Sequence, residues 1–230
     1  MKKLLFIFIL LLLPLTIYAK DFKIEDISID LDDSWYVFTK NNIKNNQDLK
    51  LLGISEEYMN DVFDGTDYYL DAIKFNNDEI VELFIVIKDT SSLYDSSDFT
   101  DEQIEELRSS YEKQISNSKT TIFTTDSTKY IKSIYKDQDL NIVDYYAVIN
   151  KKGYTFKIQK KEEFSEEELN ELDKMIENII VSDKDNNVNE DDIQPLIDTK
   201  KGGNSVLTGT IIGAIIGGII GLIGYIIKKK

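Results

Sequence analysis

The side chains that most often carry catalysis and metal binding are scarce in this sequence. It contains no histidine and no cysteine, so the usual general base near neutral pH, the commonest metal ligand and the thiolate nucleophile are absent. Carboxylates are abundant, and among 42 of them some pair falls at glycosidase spacing by chance. No glycine-rich phosphate-binding loop and no anchored Ser/Lys pair appears. We therefore predict no catalytic and no cofactor-binding residues, and expect that the protein is not an enzyme.

One stretch begins like a calcium-binding loop, with oxygen-bearing side chains at alternate positions from Asp183 to Asn189. The pattern then fails, because Val188 stands where the sharp turn needs glycine, and Gln194 where a bidentate glutamate is needed. We therefore predict no metal site here. The residues from 182 to 205 are polar and lack an apolar period, which predicts an acidic flexible linker.

The charge of the chain excludes one class of partner. The formal net charge is −15, and eight of the 27 basic residues lie in the terminal segments, so the central part is more acidic still. Such a surface repels nucleic acid. It permits cationic partners, although a solvated acidic surface that serves solubility explains the charge as well.

The N-terminal residues 1–19 are predicted to be a signal peptide. Lys2 and Lys3 form a basic start, an almost unbroken apolar run follows from Leu4 to Tyr18, and Ala19 is a small residue at the cleavage position. An uncleaved anchor is the alternative, because Ile17 is larger than the residue that such cleavage sites favour. In either case we expect the following domain to be exported.

A second apolar segment, residues 206–227, predicts a transmembrane helix. Its 22 residues carry no charge and measure about 33 Å as a helix, enough to span a hydrocarbon core of about 30 Å. The cluster Lys228, Lys229 and Lys230 predicts a cytoplasmic tail by the positive-inside rule. The segment also resembles a C-terminal sorting signal, but the sortase pentapeptide is absent, so we expect an intact helix.

Four glycines recur every four residues along the predicted transmembrane helix: Gly209, Gly213, Gly217 and Gly221. They form one stripe where a second helix can approach closely, which favours a homo-oligomer packed through the membrane. The alternative is that glycine is simply frequent in membrane helices, as Gly218 and Gly224 off the stripe suggest.

Between these segments, residues 20–181 are predicted to form one extracytoplasmic α+β domain with a mostly antiparallel sheet flanked by helices. Expected strands are Ile27 to Leu31 and Trp35 to Phe38 as a hairpin, Tyr69 to Phe75, Ile80 to Ile87, Thr121 to Thr125, Lys129 to Tyr135, Leu140 to Ile149 and Tyr154 to Ile158. Expected helices are Leu49 to Ile54, Glu56 to Phe63, and two that begin with capping boxes at Thr100 and Ser165. The second of these is expected to carry its apolar face through Ile180.

This order of elements resembles the PsbP-like α/β/α sandwich family. The resemblance covers about residues 22–181 and rests on the turn Leu31-Asp32-Asp33-Ser34-Trp35, the long helix before a three-stranded meander, the strand Tyr154 to Ile158 and the closing helix. Where that family often has Leu-Pro before the tryptophan, this chain has Leu31-Asp32. The histidine metal sites of some members of that family have no counterpart in this chain, because it contains no histidine. The resemblance implies a fold and adds little about function.

We expect a single-pass membrane protein whose exported module is a non-catalytic binding or scaffolding module. Its expected partners are the membrane, further copies of the chain, and an unknown extracytoplasmic protein or cell-envelope ligand. Two alternatives stay open: a channel-forming or membrane-active glycine-rich helix that the domain regulates, and an exported hydrolase that uses carboxylates.

Overall fold

The computed structural model describes residues 20–76, 79–90, 94–115 and 117–182. These residues form strands β1 (Lys20–Ile24), β2 (Ile27–Leu31), β3 (Trp35–Phe38), β4 (Tyr68–Asn76), β5 (Glu79–Asp89), β6 (Lys119–Thr124), β7 (Lys129–Asp137), β8 (Leu140–Ile149), β9 (Lys152–Lys160) and β10 (Ile180–Val181). The helices are α1 (Gln47–Leu52), α2 (Glu56–Gly65), α3 (Asp101–Gln114) and α4 (Glu166–Glu177), with a 3₁₀ turn at Ser96–Asp98. The predicted α+β class with a mostly antiparallel sheet is confirmed.

Seven strands form one antiparallel sheet in the order β3-β4-β5-β9-β8-β7-β6. The predicted meander of β7, β8 and β9 is confirmed. Asn150 and Lys151 connect β8 to β9 with φ angles of 48° and 64°, as a two-residue hairpin turn of type I′ requires. The stretch from Leu83 to Ile87 is buried throughout, which confirms that β5 is covered on both faces.

A second sheet has the order β1-β2-β10. The predicted hairpin between β2 and β3 is therefore wrong: β2 pairs with β1 and β10, whereas β3 pairs with β4 in the large sheet. The Asp32–Ser34 turn carries the chain from one sheet to the other. Sequence patterns missed β1 and β10, because one precedes the first alternating run and the other has only two residues.

The small sheet and α4 cover one face of the large sheet and enclose the largest apolar cluster. Every second residue of β2 points into this cluster, and Ile27, Ile29 and Leu31 are at most 1% exposed. From α4, Leu172 and Ile176 complete it. The helix ends at Glu177 rather than continuing through Ile180, which lies in β10 and is 67% exposed.

The opposite face of the large sheet carries two separate apolar clusters. Helices α1 and α2 pack over β3, β4 and β5 through residues such as Leu49, Met59 and Phe63. Helix α3 packs over β7 and β8 through Ile104 and Leu107. The sheet therefore lies between two covering layers, and polar side chains occupy the interval between the two clusters.

Two helices begin at complete capping boxes, as predicted. Thr100 Oγ1 accepts from Gln103 N, and the Gln103 side chain accepts from Thr100 N. In α4, Ser165 Oγ accepts from Glu168 N at 3.2 Å while Glu168 Oε2 accepts from Ser165 N at 2.8 Å. Both boxes satisfy backbone donors that a helix start leaves open.

The predicted signal peptide, the linker beyond Ser182, the transmembrane helix and the basic tail lie outside the described residues. Among the residues that are described, no helix is both long and apolar enough to cross a membrane.

Removal of the Ser165 cap provides a test of how α4 is held. In a chain of residues 20–182, Ser165→Ala is expected to lower the free energy of unfolding by about 1 kcal/mol, because donors in the first turn lose their acceptor. Ser165→Asn, which keeps a capping oxygen, is the matched control and should stay close to the parent in urea denaturation. Equal losses for the two variants would contradict a role for the cap.

Candidate functional site

A broad cleft opens at one end of the large sheet and encloses about 680 Å³. We call it the end cleft. Five separate pieces of chain line it: the end of β1 with its turn, the segment after β3, the start of β4, the end of β5 and the start of β9. The lining residues are Lys23, Ile24, Glu25, Thr39, Lys40, Asn41, Thr66, Asp67, Tyr68, Tyr69, Ile87, Lys88, Asp89 and Lys152.

The end cleft is rich in lysine, although acidic residues outnumber basic ones by 42 to 27 in the whole chain. Lys152 Nζ lies 2.7 Å from Glu25 Oε2, and Lys88 Nζ lies 2.9 Å from Asp67 Oδ2. The two lysine side chains keep 30% and 27% of their surface exposed. Lys88 therefore has one carboxylate partner, Lys152 has a second in Asp26 at 3.6 Å, and both ammonium groups stay partly open to solvent.

Two titratable groups of the cleft, Lys152 and Tyr68, have a shifted pKa. Both keep their ordinary protonation state. The hydrogen bond to Glu25 raises the pKa of Lys152, with a further contribution from the nearby charge of Asp26. Burial, and then the charges of Glu82 and Asp71, raise the pKa of Tyr68. The lysine stays cationic and the phenol stays protonated, so neither is prepared to act as a base or nucleophile.

The adjacent tyrosines Tyr68 and Tyr69 in the cleft differ in exposure, as neighbours in a strand that point to opposite faces do. Tyr68 is buried and stacks on Phe84 with ring centroids 4.7 Å apart, whereas Tyr69 is 39% exposed. A second pair of adjacent tyrosines also divides between the two faces, since Tyr145 points into the large cluster and Tyr146 packs against Tyr111 of α3. Tyr69 is thus the ring that the cleft offers to a ligand.

The described chain ends beside this cleft. Strand β10 runs antiparallel to β2 and finishes opposite Ile27, and Ser182 N then donates to Asp26 O at 2.8 Å. Lys152 Nζ also lies 3.6 Å from Asp26 Oδ2. Ser182 is therefore fixed at the turn whose other residue, Glu25, lines the cleft.

A second feature is a row of buried polar residues across the helix-covered face, which we call the buried polar row: Asp71, Glu82, Asp144, Lys157 and Gln159. All five are at most 2% exposed. In register, Glu82 lies opposite Gln159, and Asp144 lies opposite Lys157. Gln159 Nε2 donates to Glu82 Oε2 at 2.7 Å, and Tyr135 OH donates to Asp144 Oδ2 at 2.7 Å.

Burial displaces the pKa of all three carboxyl groups in this row. It raises the pKa of Glu82 to about 7, although the Gln159 hydrogen bond opposes the shift. Burial and the nearby charge of Glu82 raise the pKa of Asp71 well above its usual range. The pKa of Asp144 is also raised by burial, and the charge of Lys157 and the Tyr135 hydrogen bond reduce that shift.

Several oxygens of the buried polar row have no hydrogen-bond partner: Asp71 Oδ1, Glu82 Oε1, Asp144 Oδ1 and Gln159 Oε1. All are acceptors, and a buried carboxylate becomes less costly when it takes up a proton itself, because it then loses its charge. Within the described residues, no set of three or more acidic, histidine or cysteine side chains is arranged to hold a metal ion. Burial of these oxygens is the physical cause of the raised pKa of Asp71 and Glu82.

None of the residues predicted from sequence as functional lies within the described part of the chain. The glycine stripe Gly209, Gly213, Gly217 and Gly221, and the tail Lys228, Lys229 and Lys230, fall outside it, as does the loop from Asp183. Sequence reasoning missed the end cleft entirely, because its lysines are far from one another in the sequence and only the fold brings them together. Because carboxylates are so frequent in this chain that many pairs share a given spacing by chance, the sequence likewise gave no indication that Asp71 and Glu82 lie together.

In comparison with known proteins, the chain matches no protein-family model and no curated protein.

The raised pKa of Glu82 leads to a pH-dependent stability. An unfolded glutamate titrates near about 4.3, so the folded form binds more protons between that pH and about 7. Stability is therefore lost as pH rises through this window and stays low above it. Glu82→Gln is expected to remove that loss and to gain about 3 kcal/mol above pH 7 relative to the parent.

The measurement is urea denaturation of residues 20–182 from pH 4 to pH 9. Glu163→Gln makes the same chemical change at an exposed position and should parallel the parent. If the curves of Glu82→Gln and Glu163→Gln coincide at every pH, the assignment of a protonated Glu82 is wrong.

Proposed function

We propose that residues 20–181 are an exported, non-catalytic binding module whose ligand site is the end cleft, and that the helix at residues 206–227 anchors the module to the membrane. The observation that supports this proposal is the end cleft itself. It is a wide site, two of its lysines (Lys88 and Lys152) are held in ion pairs, and it offers an exposed tyrosine ring.

Binding is favoured over catalysis because of where the displaced pKa values occur. Catalytic acids and bases need a shifted pKa at a position that substrate can reach. The carboxyl groups with raised pKa lie in the buried polar row, at most 2% exposed. In the cleft, Glu25 and Asp67 are held by lysines, which suits recognition rather than proton transfer.

The chemistry of the cleft favours a polar, extended ligand that carries carboxylates, such as a peptide segment of another extracytoplasmic protein. Lysine ammonium groups with one open side accept a carboxylate as a point charge. Thr39, Asn41 and Thr66 supply neutral hydrogen-bonding groups along the same wall. Tyr69 adds a rigid ring, of the kind that is enriched at binding interfaces.

Two further proposals concern assembly and ancestry. The glycine stripe favours homo-oligomers packed through the membrane helix, since close backbone approach is what holds helices together in lipid. The order of elements, with one antiparallel sheet between two covering layers, supports membership of the PsbP-like sandwich family.

Membrane topology is tested by single-cysteine labelling, for which the native chain provides a clean background because it has no cysteine. Asp139→Cys places a thiol in the exposed turn between β7 and β8, and Lys229→Cys places one in the predicted tail. In spheroplasts, an impermeant maleimide is expected to label the first and to label the second only after lysis. Labelling of Lys229→Cys before lysis would refute the topology.

The ligand site is tested by photocrosslinking of the full chain in intact cells. Benzoylphenylalanine at Asn41, an exposed cleft residue, is expected to give an adduct with another protein. The control is Asp126, an exposed residue between β6 and β7, because β3 and β6 each lie three strands from β9. Both positions are at the same end of the sheet, so identical adducts from the two would place the binding surface outside the cleft.

A further inference from the structure

We propose that the acidic segment of residues 183–192 docks in the end cleft of its own chain and must be displaced by any external ligand. This inference rests on the proposed function, because it assigns a competitor to the same site. Its occupant is a segment of the chain that begins where the described residues end.

The first argument is position. Because Ser182 N donates to Asp26 O at 2.8 Å, the backbone at residue 182 is fixed to the β1–β2 turn. Glu25, the residue before Asp26 in that turn, lines the cleft and contacts Lys152 at 2.7 Å. Since consecutive Cα atoms are about 3.8 Å apart, residue 183 begins at the rim of the cleft.

The second argument is charge. Residues 183–192 contain five carboxylates, at Asp183, Asp185, Glu190, Asp191 and Asp192, and a single lysine. The cleft lining contributes four lysines, Lys23, Lys40, Lys88 and Lys152, against three carboxylates, Glu25, Asp67 and Asp89. Lys23 is exposed and takes part in no ion pair among the described residues. A cleft whose lining has more lysines than carboxylates therefore lies beside the start of an acidic segment. The attraction acts within a Debye length of about 8 Å.

The third argument is reach. From β9 to β3 the cleft crosses three strand spacings, about 14 Å at about 4.8 Å each. Ten residues span up to about 33 Å when extended, so residues 183–192 cross the cleft with length to spare. A segment joined directly to the rim has an effective concentration of the order of millimolar. Weak contacts are therefore sufficient for it to compete with an external ligand.

The test is disulfide formation in the full-length chain, in which two introduced cysteines are the only thiols because the native chain has none. One variant combines Asn41→Cys in the cleft with Asn189→Cys in the segment. The control combines Asp126→Cys with Asn189→Cys, since β3 and β6 are each three strands from β9. Docking is expected to make the cleft pair form its disulfide at least about tenfold faster, whereas equal rates would overturn the proposal.

A second variant tests the role of charge. Asp183, Asp185, Asp191 and Asp192 are changed to asparagine and Glu190 to glutamine in both cysteine pairs. The rate ratio is then expected to fall to about one, because neutral residues lose the attraction of the lysines. A ratio that stays near tenfold would show that the acidic charges do not hold the segment, and the proposal would fall.

Failure here is separable from failure of the proposed function. The disulfide is intramolecular and reports only on residues 183–192, whereas the photocrosslink at Asn41 is intermolecular and reports on an external partner. Equal disulfide rates together with a specific adduct at Asn41 would leave the cleft as a ligand site and remove the internal competitor.

Discussion

The constraint on which this structure depends is that the central strands of the large sheet are buried on both faces. In β5, the residues from Leu83 to Ile87 are all buried, and neither face of such a strand tolerates water. One face is closed by the small sheet with α4, and the other by α1, α2 and α3. The small sheet joins both ends of the described chain, because β1 and β10 both pair with β2.

The same constraint accounts for the buried polar row. The helix-covered face carries two apolar clusters, and the buried polar residues Asp71, Glu82 and Gln159 lie on the same face in β4, β5 and β9. Polar groups at this depth are tolerated when they pair or lose their charge. Gln159 pairs with Glu82, and burial raises the pKa of both Asp71 and Glu82. The helix-covered face is thus buried although its two apolar clusters do not join into one core.

Local signals predicted much of the fold. The capping boxes at Thr100 and Ser165 use residues three apart, and the meander from β7 to β9 depends on a two-residue turn. The pairing of β2 with β10 joins Ile27 to Val181, and no local pattern encodes a contact over that separation. The β2–β3 hairpin was a wrong prediction for the same reason, since a tight turn between two alternating runs looks identical whether the strands pair or separate.

The candidate site could not be predicted from the sequence, because it is formed where the ends of several strands meet. Lys23, Lys40, Lys88 and Lys152 are far from one another in the sequence, and antiparallel pairing brings the ends of β3 and β5 level with the starts of β4 and β9. The direction of β10 then decides where the chain leaves. If β10 ran the other way along β2, residue 183 would start at the opposite end of the domain. The two-residue strand therefore determines that the polypeptide leading to the predicted anchor starts beside the cleft.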